Sequence, residues 1–126
     1  MARQLHLQDN MPSSLEITFR GMSPSPSVEA VIRDWVARLE NQDSRIHRCS
    51  VVVDQPHRHQ THGNRFHIGI EVGVPGRDIV ISRDPELDPG HEDVYVAIAD
   101  AFRAARRQLQ DHSRIQRGEV KSHETP

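Results

Sequence analysis

The chain has a single cysteine, Cys49, and a single lysine, Lys121, among 126 residues. One cysteine cannot close an internal disulfide, so the fold must rest on its core, as expected in a reducing cytoplasm. Aromatic residues make up 4% and hydrophobic residues 35%, too little for the buried layers of a large enzyme. No apolar run approaches the roughly 18 residues that span a bilayer. The segment from Met1 to Met11 lacks the apolar core of an export signal. A Gly-rich phosphate loop, a Ser or Cys nucleophile in a recognisable motif, and a spaced carboxylate pair are all missing. The expectation is a cytoplasmic protein that is no enzyme, with no cofactor, no membrane partner and no small-molecule substrate.

Charge of one sign is also missing overall. Lys and Arg total 16 against 18 Asp and Glu, a formal net charge of −2. That excludes a globally basic nucleic-acid binder but leaves room for a local basic surface. The basic residues are arginine except for Lys121. Arginine makes planar, bidentate contacts with phosphate that a lysine point charge cannot make. An arginine-biased composition explains the same excess equally well.

The length suits one domain. Residues 1–13 are polar and read as a disordered tail. Leu15-Glu16-Ile17-Thr18-Phe19-Arg20 alternates apolar and polar, the period of a half-buried strand. Ser25-Pro26 is a helix start, a capping hydroxyl before proline at the first helical position. Val28, Val31, Ile32, Trp35, Val36 and Leu39 follow at helical spacing and form one apolar stripe. Glu29–Arg33 and Asp34–Arg38 are spaced as outer i,i+4 pairs. Asn41 to Ser44 closes the helix.

Two further strands run through Cys49, Val51 and Val53, and through Phe66 to Val74. Pro75-Gly76 turns into a fourth strand through Ile79 and Ile81. Residues 84–93 form an acidic loop with Asp84, Glu86, Asp88, Glu92 and Asp93. A second helix is expected from about Glu92 to His112, with Val94, Ile98, Ala101, Ala105 and Leu109 on its stripe and Tyr95 and Phe102 at the margin. The domain then covers residues 14–112, and 113–126 is a flexible tail. The fold class is α+β, in the order β-α-β-β-β-α. It has a four-stranded mixed sheet with two helices packed on one face, the first crossover making strands one and two parallel.

Two constellations stand out. Arg103, Arg106, Arg107, Arg114 and Arg117 are opposed only by Asp111, an excess of +4 over residues 103–117. Cations suit a helix C-terminus, so a solvated helix end is one reading and a phosphate-binding stripe is the other. Five phosphate contacts would give a log–log salt slope of about −4.5. The second constellation is His57, His59 and His62, with His67 opening the third strand. Neutral imidazoles so spaced can hold zinc, yet Arg58 and Arg65 put positive charge beside any metal. A solvated hairpin loop and an RNA contact of this His/Arg loop are the alternatives. Arg83, at the end of the fourth strand, is a further candidate RNA contact. Asp93 reads as a helix cap, Cys49 as a buried small apolar residue, and Trp35 as core. The outward face of the sheet, with Thr18, Val52, His67 and Glu71, could also serve a protein partner.

Asp93-Val94-Tyr95-Val96-Ala97-Ile98, followed by Arg107-Gln108-Leu109 and His112, resembles the last helix of the ribosome hibernation-promoting factor and ribosome-associated inhibitor family. The β-α-β-β-β-α order and Leu39-Glu40 agree, and the similarity covers roughly Leu15 to Arg117. The resemblance implies a short form whose partners are the small ribosomal subunit and ribosomal RNA. It also implies occupation of the messenger and transfer RNA channel under stress or in stationary phase, with no reaction performed. Within it, Arg107 matches the family's helix arginine and Arg20 falls near a polar or basic position at the end of the first strand. Arg106, Arg114 and Arg117 fall in the basic tail. Ala104 stands where the family often has lysine, and the acidic loop is longer than usual. The His-rich segment looks like a subgroup feature.

Overall fold

Alternating strands and two striped helices need a shared apolar layer, and the computed structural model shows it for residues 15–56, 66–83 and 93–116. The elements are β1 (Leu15–Arg20), α1 (Pro26–Gln42), β2 (Arg48–Asp54), β3 (His67–Val74), β4 (Arg77–Arg83) and α2 (Val94–Gln116). The sheet order is β1-β2-β3-β4. β1 and β2 are parallel, with Ile17 opposite Val51. The β2–β3 and β3–β4 pairs are antiparallel, which places Val51, Ile70 and Ile81 in one row.

Period-two alternation sends Cys49, Val51, Val53, Ile68, Ile70, Val72, Ile79 and Ile81 to one face, where all are buried. Both helices join that layer. α1 contributes Val28, Ile32, Val36 and Leu39, and α2 contributes Ala97, Ile98, Ala101, Phe102, Ala105 and Leu109. Leu15, Ile17 and Phe19 of the edge strand β1 are only partly buried against it.

The helix ends follow their sequence signals. Ser25 caps α1, its Oγ accepting from the Val28 N–H at 3.2 Å, an arrangement worth about 1 kcal/mol. The Asp43 N–H closes the other end on the Leu39 carbonyl at 2.9 Å. Asp93 Oδ1 accepts from the Tyr95 N–H at 2.9 Å, and the Asp93 carbonyl takes the Ala97 N–H at 3.0 Å, so Asp93 is the cap of α2. At the β3–β4 turn Pro75 is followed by Gly76 at φ 94°, the residue pattern of a type II turn.

Three details differ from the sequence expectations. α2 runs through Gln116, so Ser113 to Gln116 are helical and α2 continues past His112. His112 explains the extension, because its Nε2 donates to the Pro75 carbonyl at 3.3 Å and holds this turn of the helix against the β3–β4 turn. Phe102 is wholly buried and central, not marginal. Asp34 and Arg38 pair at 2.8 Å, but among the described residues no ion pair joins Glu29 to Arg33. Residues 1–13 and 117–126, expected as tails, lie outside the described residues.

Candidate nucleic-acid interface

The burial stripe of α2 fixes what its other side can offer. Ile98, Ala101, Ala105 and His112 face inward. At 3.6 residues per turn, Arg103, Arg106, Arg107 and Arg114 then fall within a sector of about 100° on the opposite side. All four are exposed. Because α2 packs on β3, β4 and α1, this sector points away from the sheet.

The arginines are sparsely matched with acids. Arg114 Nη1 lies 3.3 Å from Asp111 Oδ1, between two well-exposed side chains, a pairing worth at most about 1 kcal/mol. Among the described residues Arg103, Arg106 and Arg107 form no ion pair with a carboxylate. An unpaired guanidinium in water keeps its donors for a phosphate, and several in one sector sum to a local positive potential. Asp111, four residues after Arg107, pairs with Arg114 instead.

The remaining candidates are not gathered at this sector. Arg20 ends β1 and is exposed. By alternation from Phe19 it lies on the sheet face opposite the helices. Arg83 ends β4. Arg58, Arg65 and Arg117 lie outside the described residues. So do His57, His59 and His62, together with most of the acidic loop. His67 is described: its Nε2 is 2.8 Å from Ser82 Oγ on the outward sheet face. Among the described residues no group of three or more His, Cys, Asp or Glu is placed to hold a metal ion.

On that outward face Arg48 reaches over Gly73 to Asp78 at 2.9 Å and to Glu71 at 3.6 Å. This internal pairing leaves the sheet face less basic than the outer side of α2. Cys49 is buried, and burial pushes its thiol up to about 12, which leaves it without nucleophilic character.

One contact of the helical layer has no periodic signal in the sequence. Trp35 of α1 stacks on Phe102 of α2, with centroids 5.7 Å apart and planes 8° from parallel. The Arg38 guanidinium carbon lies 4.9 Å from the Trp35 ring centroid and that of Arg103 lies 6.0 Å from it. Trp35 is therefore a partly buried seam residue as well as a core one. Its spacing three residues before Arg38 is plain in the sequence; its partner Phe102 is not, because the period of α2 puts that residue at the margin of the stripe.

A known family matches the chain over most of its length. The family model described as Sigma 54 modulation protein / S30EA ribosomal protein matches residues 15–117. The chain belongs to this family. It is the family of the hibernation-promoting factors, which are ribosome-associated modulation proteins. Among solved structures, a ribosomal subunit interface protein from Coxiella burnetii is 14% identical, with a TM-score of 0.65 over 79% of this chain and 97% of the other. The N-terminal domain of Protein Y from Thermus thermophilus is 17% identical, with a TM-score of 0.61 over 77% of this chain and 94% of the other. At such identities these two show a shared fold. No curated protein sequence matches the chain. No described helix of this hibernation-promoting factor family member is long and apolar enough to cross a membrane.

Proposed function

We propose that this protein binds the small ribosomal subunit through ribosomal RNA. It would occupy the messenger and transfer RNA channel and so hold ribosomes idle under stress or in stationary phase, in the cytoplasm. Family membership supports the ribosome as partner. The observation that carries the RNA reading is the outer sector of α2, where Arg103, Arg106 and Arg107 are exposed and unpaired among the described residues. Phosphates of a folded RNA supply the negative charge that this sector lacks.

The protein acts by occupancy, without catalysis. Neither the buried Cys49 nor Asp93, whose carboxylate caps α2, is placed as a nucleophile or a base. The core under α2 sets the arginine backbone positions at fixed spacing, so on binding RNA only their side chains need be ordered. Arg20, Arg58, Arg65, Arg83 and Arg117 are secondary candidates for RNA contact, and Arg20, on the sheet face opposite the helices, would meet a different part of the RNA from α2. Cosedimentation of the full chain with purified small subunits at low and moderate salt tests the reading. Binding that weakens as salt rises is expected, and no binding at low salt would sink it.

A further inference from the structure

The seam between α1 and α2 holds a charge arrangement that a purely structural aromatic contact does not need. Trp35 is the sole tryptophan of the chain. One of its contacts is to Phe102, which is wholly buried. Its ring also carries two guanidinium groups, from Arg38 on its own helix and from Arg103 on the neighbouring one, at 4.9 and 6.0 Å. The two guanidinium carbons are thus no further apart than those distances added together. Each cation is drawn to the indole by a neutral quadrupole. Unlike a carboxylate, that partner cancels none of their formal charge.

Each guanidinium is held differently. Arg38 Nη2 donates to Asp34 Oδ2 at 2.8 Å, and the Arg38 side chain is 62% exposed. One edge of Arg38 is therefore anchored, while its Nε and Nη1 have no partner among the described residues. Arg103 is exposed and has no carboxylate partner among them. A guanidinium lying on an aromatic ring keeps its in-plane N–H donors for a phosphate, and its outer plane can stack with a base. Anchoring before binding lowers the ordering cost of the contact. Arg106 and Arg107 follow Arg103 at three and four residues, so the seam is continuous with the basic sector of α2.

We propose that Arg38, Trp35 and Arg103 form a composite site for one unpaired RNA nucleotide. The phosphate is bound between the two guanidiniums, and the base stacks on the guanidinium–indole surface. The site rests on the RNA reading above and adds to it a position on α1 and a preference for unpaired over duplex RNA. A base in a duplex is already stacked on its neighbours and cannot supply the plane that the site takes.

Because Trp35 is the sole tryptophan, its fluorescence reports the site directly in the full chain. The probes are a single-stranded ten-nucleotide uridine RNA, a ten-base-pair RNA duplex and inorganic phosphate, with anisotropy of the labelled RNAs as a second readout. The single strand should change Trp35 fluorescence saturably and bind more tightly than the duplex, and phosphate should compete only weakly. Arg38→Ala and Arg103→Ala should each weaken single-strand binding about tenfold, the scale of one stacked base. Arg38→Lys, which keeps the charge and loses the plane, should resemble Arg38→Ala. Far-UV circular dichroism confirms that each variant is folded. The proposal is overturned if RNA shown bound by anisotropy leaves the fluorescence unchanged, or if no single strand binds. It is equally overturned if Arg38→Lys binds like the parent, or if the duplex binds as tightly as the single strand. Small subunits that bind while the oligonucleotide signal is absent would remove this site and leave the ribosome reading standing. The oligonucleotide signal without subunit binding would do the reverse.

Discussion

Trp35 and Phe102 stack across the two helices, 5.7 Å between centroids and 8° from parallel. This pair ties α1 to α2, and Phe102 lies in the core with none of its surface exposed. Phe102→Ala should cost about 3–5 kcal/mol in urea unfolding, a large part of the roughly 5–15 kcal/mol of a typical domain. With Trp35→Ala it should form a non-additive cycle, coupled by about 0.5–1.5 kcal/mol. Strict additivity would show that the two rings do not support each other.

The strand end at Gly21 has room for glycine alone. Gly21 has φ 69°, and a Cβ built there would lie 2.4 Å from the Gln55 carbonyl oxygen. Gly69 on the outward sheet face is the control, since its Cβ would meet nothing nearer than 4.0 Å. Gly21→Ala should destabilise by about 1 kcal/mol or more, while Gly69→Ala should be neutral or mildly stabilising. Equal unfolding midpoints for the two variants would contradict this account of the β1 exit.

Asp43 gives the fold a pH dependence of known sign. Its Oδ1 accepts from the Arg45 N–H at 3.1 Å and from Nε at 3.0 Å, and its Oδ2 accepts from Nη2 at 2.9 Å. The Arg45 side-chain hydrogen bonds hold this buried carboxyl below its usual range, outweighing the opposing effect of burial. A carboxyl depressed in the folded state stabilises above its unfolded value of about 3.9. That contribution is lost as pH falls through the lower folded value. Asp43→Asn should therefore be less stable near neutral pH and should lose less stability than the parent as pH falls below about 4. Parallel curves of urea midpoint against pH for the two proteins would refute the assignment.

Cys49 should be chemically silent while the chain is folded. Its thiol is pushed up to about 12 by burial, so at pH 8 almost none is thiolate. A disulfide-exchange reagent should label it slowly in buffer and quickly in concentrated urea. Fast labelling in buffer would mean that the β2 face opens readily.

Much of this was legible in the sequence because the signals were periodic. Alternation at Cys49, Val51 and Val53 and the Ser25-Pro26 start fixed elements that the structure places at the same residues. The parallel pairing of β1 and β2 followed from the helix between them. Contacts between elements were not legible. The period of α2 puts Phe102 at the edge of its stripe, but the fold buries it wholly and stacks it on Trp35 of the other helix. Likewise α2 continues beyond His112 because that side chain finds the Pro75 carbonyl 37 residues away in sequence, a partner no helical period announces. The arginines were legible as a cluster. That Arg103, Arg106 and Arg107 have no carboxylate partner among the described residues was not, since that depends on which acids the fold brings near.

The central claim is that the outer sector of α2 meets RNA phosphate on the small subunit. The most direct test is the salt dependence of small-subunit binding for the parent and for Arg106→Ala/Arg107→Ala/Arg114→Ala. Each phosphate contact removed should flatten the log–log slope by roughly 0.7–0.9, so three should flatten it by about two to three. A triple variant that binds more weakly with that shallower slope is the predicted result. A slope equal to the parent's would contradict it and place the ribosome contact on another surface.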